Sequence, residues 1–293
     1  MIKYFIFALF IAIAIFAIWF SQWTGPQKLN FADRVYWNGT HSKYTVETGI
    51  AFGTDERQKL NVYTPVTKAG SSAQRVMIFF HGGTWSSGDS ASYAFVGRAF
   101  AAKGFVTIVA DYRKSPAHRF PTFVQDAADV ITWAYHKITA YHGDPAQIYV
   151  MGHSAGAHIA MLAALDPQYL ARCDMDSSAI KGIIGLAGPY DFLPFTGDAT
   201  KTALGQWPQL SQTQPINYVR RDAPPMLLLT GDKDTTVLPR NTTALATAIK
   251  AAGGKASVKI YSGVDHTGIV MALSNPFRNR APVVDDVLRF THQ

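Results

Sequence analysis

The chain has a single cysteine, Cys173, among 293 residues. No intrachain disulfide can form, and thiol chemistry lacks a second sulfur. Cys173 lies in "ARCDMDSS" with no histidine nearby to activate it, so it reads as a structural or surface thiol rather than a nucleophile. Internal repeats, low-complexity tracts and Pro- or Gly-rich linkers are missing too, which excludes repeat architectures and leaves no boundary for a second folded domain. Charge is sparse: 16% of residues are charged against 48% hydrophobic, enough apolar material for one large core. The net charge of +7 comes from scattered basic residues. Their largest local group, Arg278, Arg280 and Arg289, sits among apolar residues without a nucleic-acid motif, so it reads as solvated surface and nucleic acid is not expected as a partner. Metal ligands are also short. His153 and His158 are spaced wrongly to share one helical face, and the Asp174–Asp176 pair lacks the remaining ligands of a calcium loop.

What the sequence has in plenty is an apolar N-terminus, "MIKYFIFALFIAIAIFAIWFSQW". No charge occurs from Tyr4 to Phe20. At about 1.5 Å per residue, such a helix is nearly as long as the hydrocarbon layer is thick, about 30 Å. Trp19 and Trp23 fall where an aromatic belt belongs. A cleavable signal has a shorter apolar region and a small-x-small site, whereas this run ends in Ile18-Trp19-Phe20. Residues 1–24 are therefore read as a membrane anchor or signal segment, the uncleaved anchor being favoured. Residues 25–43 follow as a linker or cap segment, and 44–293 as one folded domain. Secretory signals and their uncleaved relatives share this layout, which places the domain outside the cytoplasm, in a periplasm, at a cell surface or in a secretory lumen.

Within the domain, residues 44–52 and 58–64 alternate and carry β-branched or aromatic side chains, predicting a leading antiparallel pair. Strands are expected at Val76–Phe80, Val106–Ala110, Ile148–Met151, Ile180–Leu186, Met226–Thr230 and Ala256–Tyr261. Helices are expected at Tyr93–Lys103, Phe123–His142, Ala155–Ala164, Pro239–Ala252 and Val283–Phe290. Alternation of near-continuous apolar strands with helices predicts an α/β fold, a mostly parallel central sheet covered on both faces. Ligands then bind beyond the carboxyl ends of the strands.

Three loops at strand ends carry the chemistry. The strand Ile148–Met151 runs into Gly152-His153-Ser154-Ala155-Gly156 and directly into a helix. That is G-x-S-x-G in the strand–turn–helix setting that projects a serine hydroxyl from a sharp turn. A hydroxyl nucleophile needs a base, and the base an orienting carboxylate. "GDKDTTV" after the next-to-last strand offers Asp232 and Asp234, and "VDHTG" after the last strand offers His266. Earlier, "VMIFFHGGTW" ends an apolar strand on two glycines, where backbone can approach a substrate closely.

From about residue 45 to the end, the chain resembles an α/β-hydrolase of the hormone-sensitive-lipase-like carboxylesterase group. "HGGTW", "ADYRKSP", "GHSAG", "GDKDTTV" and "DHTG" carry the likeness, in that order. The resemblance implies an α/β-hydrolase fold with catalytic residues Ser154, Asp234 and His266, Asp234 being favoured over Asp232. It also implies an oxyanion hole made by the amides of Gly83, Thr84 and Ala155. Where the commoner pattern has a third glycine, this chain has Thr84, which keeps the N–H and adds bulk. Trp85, Tyr190, Phe192 and Trp207 are candidates for an apolar substrate pocket and equally for core packing. His81 and the Asp111-Tyr112-Arg113 corner are expected to be structural.

The expected activity is hydrolysis of small-molecule carboxylic esters through an acyl-enzyme, without metal or cofactor. No obligate protein partner is implied, and the membrane is reached through the N-terminal segment. "HGGTW" and "GHSAGAH" also resemble kynurenine formamidases, so an arylformamidase is the rival enzyme. A non-catalytic binding protein on the same fold is the rival from another class.

Overall fold

The computed structural model describes residues 13, 17–37, 44–68 and 70–292. Most of the Tyr4–Phe20 segment therefore lies outside the described residues. Among the described residues, no helix is long and apolar enough to cross a membrane.

Eight strands form one sheet: β1 (Tyr44–Ala51), β2 (Lys59–Pro65), β3 (Gln74–Phe80), β4 (Val106–Ala110), β5 (Gly143–His153), β6 (Ile180–Leu186), β7 (Met226–Gly231) and β8 (Ala256–Tyr261). Their order is β1-β2-β4-β3-β5-β6-β7-β8. The pairs β1/β2 and β2/β4 are antiparallel, and every later pair is parallel. The apolar run of β3 explains its place: Val76 to Phe80 are wholly buried between β4 and β5, with apolar clusters on both faces of the sheet. From β3 the chain crosses to β4 on one side and returns to β5 on the other. The loops leaving β3 and β5 consequently diverge and open a crevice at the carboxyl end of the sheet.

The helices that flank the sheet are α2 (Ala94–Ala101), α3 (Thr122–Lys137), α4 (Ala155–Leu165), α5 (Pro167–Ala171), α6 (Asp198–Leu204), α7 (Arg240–Ala251), α8 (His266–Met271) and α9 (Val283–Thr291). The helix expected to reach His142 stops at Lys137, a 3-10 turn covers Ile138–Tyr141, and His142 takes the left-handed conformation (φ 64°). Gly143 then opens β5, paired with Gln74.

The stretch 25–43, expected as linker or cap, is helical over Gly25–Trp37 (α1) and docks on the sheet domain. Its start is a capping box. The Thr24 N–H donates to Gln27 Oε1 at 2.9 Å, and the Gln27 N–H donates to Thr24 Oγ1 at 3.4 Å. Asp33, 1% exposed, pairs with Arg98 of α2 (Nε–Oδ2 2.8 Å) and accepts the Asn275 N–H at 2.8 Å. Arg98 also donates to Asn30 Oδ1 at 2.7 Å. Removing one partner of a buried pair strands the other, at a cost of about 3–5 kcal/mol. Arg98→Met should therefore lower unfolding stability by about that much. Urea unfolding checks this, and the double variant Arg98→Met, Asp33→Leu should recover most of the loss.

Candidate active site

Ser154 sits between β5 and α4 with φ 54° and ψ −122°, a strained turn for a residue with a side chain. Close packing explains the glycines around it. A Cβ on Gly152 would run into the backbone of Gly156, and one on Gly156 into the carbonyls of Phe80 and His81. Strand β5, helix α4 and the end of β3 thus touch through bare backbone, and the serine is left as the projecting group.

Its Oγ lies 2.9 Å from His266 Nε2, and His266 Nδ1 lies 2.8 Å from Asp234 Oδ2. An ionised carboxylate can only accept, so the bonding assigns the imidazole proton to Nδ1 and leaves Nε2 to accept from the serine hydroxyl. Asp234, 2% exposed, is held by the N–H groups of Thr236 (2.9 Å) and Val237 (2.8 Å) on its other oxygen. Asp232 is turned elsewhere, accepting the Gly263 N–H at 2.7 Å. His266 opens α8, a short helix the sequence pattern had not suggested, capped by Asp265 (Oδ1 to Gly268 N–H, 2.6 Å).

The loop after β3 is shaped by three successive positive φ values, Gly83 129°, Thr84 50° and Trp85 58°. Glycine takes such angles freely, whereas for threonine and tryptophan they cost on the order of 1–3 kcal/mol each, a strain typical of ligand-facing loops. The N–H groups of Gly83, Thr84 and Ala155 donate to no acceptor among the described residues. His81 secures the loop from below: its Nδ1–H donates to Gly82 O at 2.7 Å, and its ring stacks between Tyr93 and Tyr112. Asp111 binds the Ser90 hydroxyl (2.7 Å) and lies 3.4 Å from His81 Nε2. Burial pushes the Asp111 carboxyl up, but His81, Ser90 and Lys114 outweigh it and hold the group below the usual carboxylate range.

A cavity of about 440 Å³ opens beside Ser154. Thr84, Trp85 and Ala155 line it with Phe192, Phe195 and Leu238. Trp85 is pinned there: its Nε1–H donates to His158 Nδ1 at 3.1 Å, and His158 Nε2–H donates to Thr213 O at 2.8 Å. Two of the candidate pocket residues lie elsewhere. Tyr190 is fully buried behind the cavity, its hydroxyl against Gly185 and Gly188. Trp207 packs edge-on to Phe120 and donates to Gln212 Oε1 at 2.8 Å. Phe195 and Leu238, not anticipated, take their place; no periodic pattern marks residues on such loops. Among the described residues, no cluster of His, Cys, Asp or Glu could hold a metal.

His153 directly precedes the serine, and the sequence assigns it no role. It is 5% exposed and its Nε2–H donates to the His266 carbonyl at 3.0 Å. Burial pushes His153 down to about 3 and His158 to about 4, from the ordinary 6.5. The unfolded chain gains these protons below about pH 6.5 and the native chain does not. The stability supplied by the neutral rings is thus complete above that pH and is lost as pH falls towards 4 and then 3, by up to about 1.4 kcal/mol per pH unit for each ring. Urea midpoints measured from about pH 7 down to about pH 4 should fall steadily, and a flat profile contradicts the assignment.

The BD-FAE family model matches residues 60–249. The isoprenylcysteine alpha-carbonyl methylesterase of Arabidopsis thaliana is 29% identical over 270 residues, covering 84% of this chain and 62% of that protein. Esterase LipC of Mycobacterium tuberculosis is 32% identical over 216 residues, covering 67% of this chain and 53% of that protein. The chain therefore spans less than two thirds of the length of these curated relatives. Among solved structures, esterase B from Lactobacillus rhamnosis superposes with a TM-score of 0.74 at 19% identity, over 90% of this chain and 91% of that one. Thermogutta terrifontis esterase 2 does so with a TM-score of 0.67 at 24% identity, over 84% and 93%. These likenesses carry the fold.

Proposed function

The chain belongs to the BD-FAE family and has the α/β-hydrolase fold, and from that premise we propose that it is a serine hydrolase cleaving carboxylic esters through an acyl-enzyme. The observation that carries the reading is the continuous relay from Asp234 through His266 to Ser154 Oγ, with unpaired amides beside it and a cavity of mixed aromatic, threonine and Arg240 lining. The relatives named as methylesterase and esterase support the same chemistry.

In this mechanism His266 Nε2 takes the proton of Ser154 as Oγ attacks the acyl carbon. The carbonyl oxygen becomes an oxyanion held by the N–H groups of Gly83, Thr84 and Ala155, each worth about 2.7–4 kcal/mol in the transition state. His266 then protonates the leaving alcohol, and water repeats the cycle to release the acid. Asp234 keeps the imidazole proton on Nδ1 and stabilises the imidazolium. Trp85, Phe192 and Phe195 bound the room beside the nucleophile and set the size of the group accepted there.

The apolar segment Tyr4–Phe20 ties this domain to a membrane, with the site on the extracytoplasmic side. Exposed Ile18 and Trp19, within that segment, support a lipid-contacting stretch.

Comparing kcat/KM on short p-nitrophenyl esters and on N-formylkynurenine tests the reaction class. Esters are expected to be turned over faster; a strong preference for the formamide makes the protein an arylformamidase. Folded protein that turns over neither substrate favours a binding role.

A further inference from the structure

A second cavity, of about 460 Å³, lies under α1, and its inner end reaches His153 and Thr267, the chain neighbours of Ser154 and His266. Neither Ser154 nor Ala155 nor Thr84 lines it; those residues line the other cavity. Its walls are Leu29 and Ala32 of α1, Phe95 of α2, Val270 and Met271 of α8, and Phe277. The volume is in the range of small-molecule sites, and the lining is almost wholly apolar.

The roof is fixed in place. Asp33 and Asn30 bind Arg98 on one flank of α1, and Asp33 binds the Asn275 N–H. The helix is therefore held by polar bonds beside the cavity together with the buried Leu29. Leu29, Phe95 and Val270 are buried, whereas Pro26 and Lys28 are partly exposed and Gly25 is exposed, so the mouth lies at the start of α1. Lys28 is the one charged residue of the lining. Among the described residues no carboxylate pairs with it; its ammonium donates to the Ser21 carbonyl at 3.3 Å and lies over the Phe20 ring.

An apolar cavity with a cation at its mouth is complementary to an alkyl chain that ends in one negative charge. The membrane setting proposed above, on which this inference rests, brings such molecules to hand. Ile18, Trp19, Phe31, Val35 and Tyr36 are exposed around the same helix, and an exposed apolar and aromatic patch of that kind marks a lipid-contacting surface. We propose that the cavity beneath α1 binds a long-chain fatty carboxylate, its alkyl chain between α1 and α8 and its head group on Lys28. The occupant is a ligand distinct from the ester at Ser154, and the site exists whether or not the chain turns over.

The test uses full-length protein carrying Ser154→Ala, in phosphatidylcholine nanodiscs, with a palmitic acid bearing a diazirine near its chain end. After irradiation, the adducts are expected on peptides containing Phe95, Met271 or Phe277. Excess palmitate should displace them about tenfold better than hexadecanol, which lacks the charge, and Lys28→Glu should lower labelling about tenfold. Ala32→Phe and, separately, Met271→Trp should suppress it by filling the slot. In the Ser154 background these variants should still react with a fluorophosphonate, which shows that they fold. Adducts confined to residues before Gly25 or to Phe192 and Leu238, or equal competition by hexadecanol, overturn the proposal, and the mapping on the parent protein decides even if both filling variants fail to fold.

Discussion

Ser154→Ala should lower kcat on a short p-nitrophenyl ester by about 10⁶ and leave KM almost unchanged. The hydroxyl is bonded to His266 Nε2 at 2.9 Å, and in the proposed mechanism its loss removes the covalent route. The amides of Gly83, Thr84 and Ala155 remain, so a residue of about 10³–10⁴ over the uncatalysed rate should persist, with water attacking directly. Structure should survive. The strained turn at φ 54° is set by the glycine contacts around it, and alanine fits wherever serine does. Thermal unfolding of the variant should therefore match the parent. A variant that keeps more than about one hundredth of the parent kcat would place the nucleophile elsewhere.

Changing Asp234 to asparagine should cost on the order of 10⁴ in kcat, for a reason visible in the hydrogen bonds. Oδ2 accepts from His266 Nδ1 and Oδ1 accepts from the N–H groups of Thr236 and Val237, so both oxygens face donors. An amide has one acceptor oxygen and one donor nitrogen. With its oxygen on the two backbone amides, the NH₂ meets Nδ1, which then must be the bare nitrogen. The imidazole proton moves to Nε2, and the ring donates to Ser154 when it should accept. The expected signature is a fall in kcat with folding intact. Asp232→Asn, at a carboxylate bonded to Gly263 instead, should leave kcat within about twofold. Near-normal kcat in Asp234→Asn would remove the carboxylate from the relay.

The strands were legible because burial on both faces demands unbroken apolar runs, as at Val76–Phe80. The relay was legible for a related reason. A parallel sheet gathers all its carboxyl ends at one edge, so Ser154, Asp234 and His266, each just past a strand, had few places to be except together. Features fixed by distant contacts were hidden. Helix α1 follows an apolar tail and owes its place to Asp33, Arg98 and Asn275, groups far apart in the chain. The Thr24–Gln27 capping box was the local sign of its start. Tyr190 and Phe192 are two positions apart, yet one is sealed behind the cavity and the other lines it. Composition cannot separate them, since the direction of each side chain is set by a loop without periodicity. His153 was legible only as part of a motif, and its bond to the His266 carbonyl joins residues more than a hundred positions apart.

The most direct measurement is to incubate the full-length protein with a fluorophosphonate, weigh it intact and map the modified peptide. One adduct per chain is expected, carried on Ser154 and absent after Ser154→Ala. Folded protein that stays unmodified, or that carries the adduct on another residue, contradicts the proposed mechanism.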